Sequence, residues 1–383
     1  MLSLAQVRKL KLGVAGLGRA FALMIPALSR DPRVQVVAAA DPRPEALAQF
    51  EKDFGGKAVS SVESLVEQDL DCVYIASPHQ HHARQACLAA AHGRHVLVEK
   101  PMALSLEDCA SMIKTASDAG VFLVVGHSHS FDAPVRRARE IIASGAVGAL
   151  RMLSAWNFTD FLYRPRRPEE LDTPRGGGAV FNQAAHQVDI LRLLAGSPVK
   201  SVRAATGAWD PLRTTEGAYS ALIHFQNGVF ATAVYSGYAH FDSDELCGWI
   251  GEMGHPKEGK GFQEKPSGDE LLVKRTRNYG GAQFVPQADR PLHQHFGPLI
   301  ASCERADLRP LPTGVMVYGG SEPRFEPLEP PAVPRVEVID ELYGAVAEGR
   351  PPLHDGAWGK ATLEVCLAIL ASARERREFH LPL

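Results

Sequence analysis

The sequence predicts a two-domain α/β protein, in which a doubly wound parallel sheet precedes an α+β domain with a large, mainly antiparallel open sheet. Its 383 residues exceed what one hydrophobic core usually supports. Short apolar runs alternate with helical segments as far as residue 126, whereas the later strands are longer and alternate apolar with polar residues. We therefore expect one domain over residues 1–128 and a second over residues 129–383.

The first domain contains apolar runs that predict strands, and helical stretches separate them. These runs are KLGVAG, VQVVAAAD, DCVYIASP, HVLVEKP and FLVVGHS. Repeated strand–helix units predict a parallel sheet with helices on both faces. Gly55, Gly93 and Gly120 each follow a helical stretch, and Ser105 with Asp108 has the spacing of a capped helix start.

The second domain has the pattern of an antiparallel sheet. In GAYSALIHFQNGVFATAVYSGY, Asn227 and Gly228 predict a hairpin turn between two strands. We expect two helices, VEVIDELYGAVAEG and GAWGKATLEVCLAILASARERREF, to cover one face of this sheet. Residues 240–335 are rich in Gly, Pro and charge, and only DELLVKRTR and TGVMVYGG are predicted there as strands.

The composition gives no sign of nucleic acid or membrane partners. The net charge is −3, and no apolar run reaches the roughly 18 residues that span a membrane. The first residues, MLSLAQVRKLKLGV, lack the apolar centre of a signal peptide. We expect a cytoplasmic protein whose six scattered cysteines are reduced.

The first predicted strand runs into GVAGLGRAF, which is part of a dinucleotide-binding pattern. Gly16 would form the tight turn and Gly18 would let the backbone approach a pyrophosphate, which the N–H groups of Arg19 and Ala20 at the helix start would bind. Phe21 replaces the third glycine of the pattern. An ordinary glycine-rich turn is the alternative.

Asp41 follows the second predicted strand, where a carboxylate can accept hydrogen bonds from ribose hydroxyls in a Rossmann domain. A carboxylate there repels a 2′-phosphate, although Arg43 lies close enough in sequence to offset this repulsion. We therefore expect NAD or NADP as cofactor, with NAD favoured. Asp41 could instead cap the helix that begins in DPRPEAL.

Polar residues also follow the third and fourth predicted strands. Ser77, Pro78 and His82 lie where loops at the carboxyl edge of a parallel sheet meet a ligand, so we place them at the cofactor. His79 and His81 are nearby, but no carboxylate or cysteine accompanies the three histidines at ligand spacing, and we expect no metal.

Glu99 and Lys100 end the fourth strand, at the same sheet edge as the glycine loop. A surface position would explain Lys100, but a lysine that directly follows the apolar run Val96–Val98 is unusual. An ammonium held there can bind a substrate hydroxyl and favour its alkoxide form. We expect both Glu99 and Lys100 beside the cofactor.

A glycine-rich entry leads into a later predicted helix, RGGGAVFNQAAHQVDILRLLAG. Helical periodicity places Asn182, His186 and Asp189 on one face. A lone helical histidine is often structural, yet it is also the side chain best suited to accept a proton near neutral pH.

The ordered set GVAGLG, Asp41, SPHQHH, VEKP and GGGAVFNQAAHQVD resembles the Gfo/Idh/MocA family of oxidoreductases. The resemblance implies that Lys100 positions the substrate and that His186 is the catalytic histidine. Asn182 joins this catalytic group, but it stands where many members have an aspartate that assists the histidine. His129 stands where relatives often have arginine, which implies a changed substrate pocket. The family also implies a homodimer or homotetramer formed through the second sheet.

HSHSFDAPVRRAREIIASGA and NFTDFLYRPRRPEELDTPRGGG are most similar to family members that oxidise the cis-4,5-dihydrodiol of phthalate to a catechol. Four arginines precede the helix with His186, and guanidinium groups suit ring carboxylates. They are Arg164, Arg166, Arg167 and Arg175, and we assign them to substrate binding together with Asp189 and His129. A solvated basic loop neutralised by Glu169, Glu170 and Asp172 is the alternative.

We therefore expect oxidation of a cyclic diol, with His186 taking the hydroxyl proton while hydride leaves the same carbon for the nicotinamide. One alternative keeps the fold and cofactor but makes the substrate a sugar or polyol, for which a cluster of arginines has no purpose. Another is a regulator that senses NAD(P) without catalysis.

Overall fold

The computed structural model describes residues 8–238, 240–259, 268–286 and 291–382. The chain divides into two compact units. The first contains Met1–His127, Leu271–Asp289 and Val333–Ala361, and the second contains Ser128–Glu270, Arg290–Ala332 and Thr362–Leu383. Residues 271–289 and 333–361 were predicted to lie in the second domain, because the local patterns indicated a single boundary near residue 128.

In chain order the strands are β1 (Leu10–Ala15), β2 (Val34–Ala40), β3 (Lys57–Val59), β4 (Cys72–Ile75), β5 (His95–Val98), β6 (Leu123–Val125), β7 (Leu150–Phe158), β8 (Val199–Gly207), β9 (Ala218–Phe225), β10 (Phe230–Ser236), β11 (Leu299–Cys303), β12 (Asp307–Leu311), β13 (Gly314–Tyr318), β14 (Arg324–Pro327) and β15 (Phe379–His380). The α-helices are α1 (Arg19–Arg30), α2 (Pro44–Phe54), α3 (Val62–Val66), α4 (His82–Ala91), α5 (Leu106–Asp118), α6 (Ala133–Ala143), α7 (Ala185–Ala195), α8 (Glu270–Arg277), α9 (Val336–Glu348) and α10 (Gly356–Glu375).

The first unit is built on a parallel sheet, as the repeated strand–helix units predict. Over the described residues its strand order is β3-β2-β1-β4-β5-β6. The central strands β4 and β5 are almost wholly buried. Since the strands are parallel, their carboxyl ends meet at one edge, and Gly16, Asp41, Ser77 and Glu99 lie there. Strand β3, which has three residues and pairs with β2, was not predicted.

Helix ends in this unit follow the predicted signals. Gly55, Gly93 and Gly120 have φ angles of +64°, +70° and +65°. The Ser105 hydroxyl accepts a 3.1 Å hydrogen bond from the Asp108 backbone N–H at the start of α5. The predicted capping and left-handed positions are therefore confirmed.

Helix α9 belongs to the first unit, whereas it was predicted to cover one face of the second sheet. Arg33 donates a 2.6 Å hydrogen bond to Asp340 of this helix, and its guanidinium lies 5.5 Å from the centre of the Tyr343 ring. After α9, the carbonyl of His354 accepts a hydrogen bond from the Val125 N–H of β6. Periodicity predicts an apolar helix face, but it does not show which sheet that face covers.

The second unit contains the large open sheet. Over the described residues its strand order is β14-β13-β12-β11-β7-β10-β9-β8-β15. Its neighbours pair antiparallel, except for β7 and β10, which are parallel. Asn227 and Gly228 turn the chain between β9 and β10, where Gly228 has φ of +85°. The two-domain α/β fold with a parallel and a mainly antiparallel sheet is therefore confirmed.

The segment DELLVKRTR forms α8, so the predicted strand was wrong, whereas TGVMVYGG forms β13 as predicted. Leu271 and Leu272 of α8 have exposed fractions of 49% and 58%. Its Glu, Leu, Lys and Arg residues favour a helix, and two adjacent leucines are too short a pattern to distinguish a strand from a helix. Within the described ranges, every helix is too short or too polar to cross a bilayer.

Candidate active site

The glycine loop after β1 is shaped for close approach by a phosphate. Gly16 has φ of +96°, and a Cβ atom there would lie 2.8 Å from the Ser77 Cα and N atoms, so a larger residue would clash. Gly18 is the N-cap residue of α1, which begins with Arg19 and Ala20. No side chain caps this end of the helix with a hydrogen bond. These residues fit the pyrophosphate of a dinucleotide.

Phe21 accounts for the missing third glycine. Its side chain is fully buried, with its ring centre 5.8 Å from that of Phe54 and 5.1 Å from that of Tyr279. The larger side chain thus packs the first turn of α1 against α2 and a later segment of the chain. The Phe21 ring therefore belongs to this aromatic packing.

Asp41 and Arg43 form a compact ion pair at the end of β2. Asp41 Oδ2 accepts a 2.7 Å hydrogen bond from the Leu17 N–H in the glycine loop. Asp41 Oδ1 accepts hydrogen bonds from the Arg43 backbone N–H at 2.9 Å and from its Nε at 3.0 Å. Asp41 therefore contacts the glycine loop and Arg43, and helix α2 begins at Pro44 without a side-chain cap from Asp41.

His82 links two loops at this sheet edge. Its ring is fully buried, with Nε2 2.9 Å from the Ser77 carbonyl oxygen and Nδ1 3.0 Å from the Pro101 carbonyl oxygen. Burial lowers the pKa of His82. The ring thus joins the Ser77–Pro78 turn to the residue that follows Lys100. Ser77 Oγ itself donates to Gln85.

Glu99 is buried behind the strand end from which Lys100 emerges. Its Oε1 accepts a 2.6 Å hydrogen bond from the Tyr74 hydroxyl of β4. Burial raises the pKa of Glu99, while the nearby charges of Arg335 and Lys100 oppose that rise. Glu99 is therefore held by protein groups, whereas Lys100 itself is only half-buried.

In the second unit, His186 is buried in a cluster of rings. Its Nδ1 lies 3.3 Å from the Ser128 hydroxyl oxygen. Its ring centre lies 4.8 Å from that of His129 and 4.9 Å from that of Phe296. Ser128, His129 and Phe296 thus hold the imidazole on several sides.

His129 carries the charge in this cluster. Its Nδ1 lies 2.6 Å from Asp132 Oδ2, and its Nε2 lies 3.4 Å from Glu252 Oε1. Burial opposes protonation, yet the two carboxylates raise the pKa of His129 to about 9. Both ring nitrogens face carboxylates, so direct contact with a substrate would require one of these interactions to break.

Asn182 lies in a π-helical turn, Val180–Ala184, that precedes α7. Its Nδ2 donates to the carbonyl oxygens of Gly178 at 2.8 Å and Gly176 at 3.3 Å. The wider turn changes the 3.6-residue spacing from which a shared face with His186 was predicted. The amide of Asn182 therefore stabilises the glycine-rich entry to the helix.

Asp189 lies one turn beyond His186 and is almost fully buried. Its Oδ2 accepts a hydrogen bond from the Ser130 hydroxyl, and its Oδ1 lies 3.4 Å from the Thr362 hydroxyl. These bonds tie α7 to the segment that contains Ser128 and His129. Asp189 thus supports the histidine cluster, which is the group formed by His186, His129, Ser128, Phe296 and Glu252.

Among the arginines of the loop, Arg164 is linked to the histidine cluster. Its Nε donates a 2.7 Å hydrogen bond to Asp160, and its guanidinium is half-buried. Burial opposes its charge, but Asp160 and Glu252 raise the pKa of Arg164, and the charge of Arg164 also acts on Tyr235. Arg164 and His129 therefore share Glu252 as a charged neighbour.

The other predicted arginines are placed differently. Arg166 donates to the Phe161 carbonyl oxygen from Nε at 3.1 Å, its guanidinium lies 3.8 Å from the centre of the Phe161 ring, and burial lowers its pKa to about 10. Arg167 pairs with Glu169 at 3.2 Å. Arg175 is exposed. The structure therefore brings Arg164 towards the histidine cluster and turns Arg166 and Arg167 to neighbours in their own loop.

Two residues beside the histidines, Glu252 at His129 and Phe296 at His186, were not predicted. Both lie in residues 240–335, where no periodic pattern or motif marks a functional position. In the parts of the chain that the structure describes, there is no group of three or more His, Cys, Asp or Glu side chains that could hold a metal ion.

Comparison with known proteins identifies both halves of the chain. The model "Oxidoreductase family, NAD-binding Rossmann fold" of Gfo/Idh/MocA proteins matches residues 10–127, and the "GFO/IDH/MocA C-terminal domain" matches residues 135–255. A relative from Comamonas testosteroni, "1-carboxy-3-chloro-3,4-dihydroxycyclo hexa-1,5-diene dehydrogenase", is 49% identical over 378 residues, which cover 95% of each chain.

Solved structures agree with this assignment. A protein of Bordetella bronchiseptica RB50, described provisionally as a dehydrogenase, has a TM-score of 0.92 and 42% identity over 97% of this chain and 100% of its own. The WlbA dehydrogenase of Bordetella pertussis, solved with NADH and UDP-GlcNAcA, has a TM-score of 0.70 and 25% identity over 98% of this chain and 100% of its own. The chain therefore belongs to the Gfo/Idh/MocA family and is an NAD(P)-dependent oxidoreductase with an NAD-binding Rossmann domain.

Proposed function

We propose that this enzyme oxidises a cyclohexadiene cis-diol bearing a ring carboxylate to the corresponding catechol, with NAD as the oxidant. The observation that carries the proposal is the 49% identity, over 95% of each chain, with a relative whose name describes a carboxylated dihydroxycyclohexadiene as its substrate. Arg164 adds independent support, since a guanidinium near the histidine cluster suits an anionic ring substituent.

The reaction needs a base for one substrate hydroxyl and a cation for the oxygen that develops charge. We assign the base to His186, whose imidazole is held by Ser128, His129 and Phe296. Lys100, which emerges from the buried end of β5, holds the same oxygen as its C–O bond becomes a carbonyl. Bound NAD would accept the hydride from that carbon.

The immediate product of this step is a hydroxy-ketone on a cyclohexadiene ring, together with NADH and the proton on His186. Loss of the remaining ring C–H proton and gain of a proton at the ketone oxygen convert it to the catechol. This tautomerisation makes the ring aromatic, so it draws the oxidation forward. An isolated ring alcohol without the diene gains no such driving force.

A panel of purified diols with NAD tests the proposal through NADH absorbance. We expect oxidation of a 1-carboxy-cyclohexadiene cis-diol, much slower oxidation of its methyl ester, and little oxidation of myo-inositol. Catechol formation is checked by NMR of the product. A kcat/KM for myo-inositol equal to that for the carboxylated diol would contradict the proposal, as would NADH binding without oxidation of any diol.

The cis-4,5-dihydrodiol of phthalate is the finer substrate proposal. It has two adjacent carboxylates, of which Arg164 would bind one, and the resemblance of the loop around Arg164 to that of family members that oxidise this diol supports the proposal. Comparing its kcat/KM with that of the monocarboxylate diol decides between them. A phthalate diol that reacts at least about tenfold more slowly would assign the enzyme to monocarboxylates.

We also propose that the enzyme is a cytoplasmic homodimer or homotetramer that associates through the open sheet of the second unit. The outward-facing Phe230 and Leu222 on neighbouring strands are each 37% exposed, which supports an association surface there. Light scattering coupled to gel filtration tests the subunit number. Replacement of both residues by serine should yield monomers, and an unchanged mass would contradict this surface.

A further inference from the structure

Residues 271–286 belong to the first unit and lie at the end of it where a dinucleotide places its adenosine ribose. The Tyr279 ring packs edge-on against Phe21 of α1 at 5.1 Å between ring centres. Its hydroxyl donates a 2.7 Å hydrogen bond to Asp53 of α2. The segment is therefore anchored on both helices that flank the ribose-binding edge.

The backbone of this segment approaches α2 closely. Gly280 has φ of +78°, and a Cβ atom there would lie 2.7 Å from the Ala46 Cα and 2.8 Å from the Glu45 carbonyl oxygen. Arg275 Nε also donates a 2.7 Å hydrogen bond to Glu45. Only glycine allows this approach, which brings the segment onto the first turn of α2, directly after Asp41 and Arg43.

Arg43 connects this segment to the glycine loop. Its Nη1 donates to the Tyr279 carbonyl oxygen at 3.1 Å, and its Nη2 donates to the Leu17 carbonyl oxygen at 2.8 Å. Its Nε donates to Asp41 Oδ1 at 3.0 Å. The guanidinium is thus fixed in one orientation by three different parts of the first unit.

The Asp41 carboxylate accepts four hydrogen bonds, three of them from Arg43. Oδ1 accepts from the Arg43 N–H and Nε, and Oδ2 accepts from the Leu17 N–H and, at 3.2 Å, from Arg43 Nη2. Three hydrogen bonds from Arg43, two of them from its guanidinium, hold that guanidinium firmly on the carboxylate. A 2′-phosphate can therefore bind Arg43 only if the hydrogen bonds from Arg43 to Asp41 and to the Tyr279 carbonyl oxygen break.

We propose that residues 271–286 form the adenosine-side wall of the cofactor site and set the preference for NAD over NADP by locking Arg43 onto Asp41. Tyr279 and Gly280 are then cofactor-site residues contributed by the later half of the chain. The proposal concerns cofactor binding alone, so it does not depend on which diol is oxidised.

The proposal predicts opposite effects for two substitutions. Gly280→Ala displaces the segment, releases Arg43 from the Tyr279 carbonyl and lets it turn to a 2′-phosphate, so NADPH binding should gain about tenfold relative to NADH. Arg43→Gln removes the cation and leaves the Asp41 carboxylate uncompensated. NADPH binding should then weaken by about tenfold relative to NADH.

Calorimetric titration of the full-length protein with NADH and NADPH, without substrate, measures both ratios. Gly93→Ala is the matched control, because Gly93 has a similar φ of +70° but its added Cβ would meet nothing within 4 Å. The control should keep the parent ratio. Equal ratios in Gly280→Ala and Gly93→Ala, or shifts of the same sign in Gly280→Ala and Arg43→Gln, would overturn the proposal. If Gly280→Ala does not fold, Arg43→Gln decides it, and an unchanged ratio there overturns it.

Discussion

His129 and Asp132 form a buried ion pair, with the Nδ1 and Oδ2 atoms 2.6 Å apart. Glu252 approaches the other ring nitrogen of His129, so two carboxylates stabilise the imidazolium form. The ring of His186, the proposed base, packs against this cation. Asp132, three residues beyond His129, and Glu252, distant in the sequence, thus hold a positive charge beside the proposed base His186.

The charge on His129 predicts how stability depends on pH. Its pKa is raised to about 9 in the folded protein, against about 6.5 in an unfolded chain. The folded state therefore binds more protons between these values, so the stabilisation is complete below about pH 6.5 and is lost as the pH rises through about 9. Its contribution to the free energy of unfolding is on the order of 3 kcal/mol at most.

Denaturant unfolding between pH 6 and pH 10 measures this effect. The free energy of unfolding of the parent should fall with rising pH more steeply than that of His129→Gln. His92→Gln, which removes an exposed histidine at the end of α4, should follow the parent curve. Parallel curves for the parent and His129→Gln would show that His129 is not held as an imidazolium.

His186→Asn should lower turnover by about 100-fold or more, because the amide cannot accept the hydroxyl proton. Binding of NADH, measured by calorimetry, should stay within about twofold of the parent, since the cofactor loop belongs to the first unit. His224→Asn, a half-buried position on β9, serves as the control and should keep parent turnover. Near-normal turnover in His186→Asn would remove His186 from its proposed role.

Arg164→Gln should raise KM for a carboxylated diol by about 10- to 100-fold, the value of a charge-assisted hydrogen bond. The methyl ester of the same diol should be little affected, because it lacks the charge that Arg164 would bind. Arg175→Gln is the matched control, since Arg175 belongs to the same loop and is exposed. If KM rises by the same factor for the acid and for the ester, Arg164 acts through the structure of the loop and not on the carboxylate.

His82→Gln should destabilise the first unit by about 1–3 kcal/mol, because a buried ring that contacts the Ser77 and Pro101 carbonyl oxygens is lost. Turnover should also fall, since Pro101 follows Lys100. His81→Gln, on an exposed neighbour, should change neither quantity. Thermal unfolding and steady-state kinetics compare the two variants. Equal behaviour would mean that His82 does not position the lysine turn.

The local pattern of the sequence was sufficient for β1, β2, β4, β5 and β6 of the first sheet and for its edge residues, but not for the three-residue strand β3. Strand–helix repeats predict parallel strands, and parallel strands necessarily place Gly16, Asp41, Ser77 and Lys100 at one edge. Left-handed glycines and the Ser105 cap depend on a few neighbouring residues, so they too were predictable. The strand predicted at DELLVKRTR was wrong, because two adjacent leucines are too short a pattern to distinguish a strand from a helix.

Only the tertiary structure decided which distant groups meet. The contact of Phe21 with Tyr279 explains why phenylalanine replaces the third glycine of the pattern. Phe296 contacts His186, and Glu252 pairs with His129. Both Phe296 and Glu252 come from a stretch of sequence without any motif. The physical reason is that periodicity and turn chemistry act over a few residues, whereas ring packing and charge pairing depend on where the folded chain returns. The sequence by itself determined the secondary structure that presents the chemistry, and long-range packing determined the neighbours that tune it.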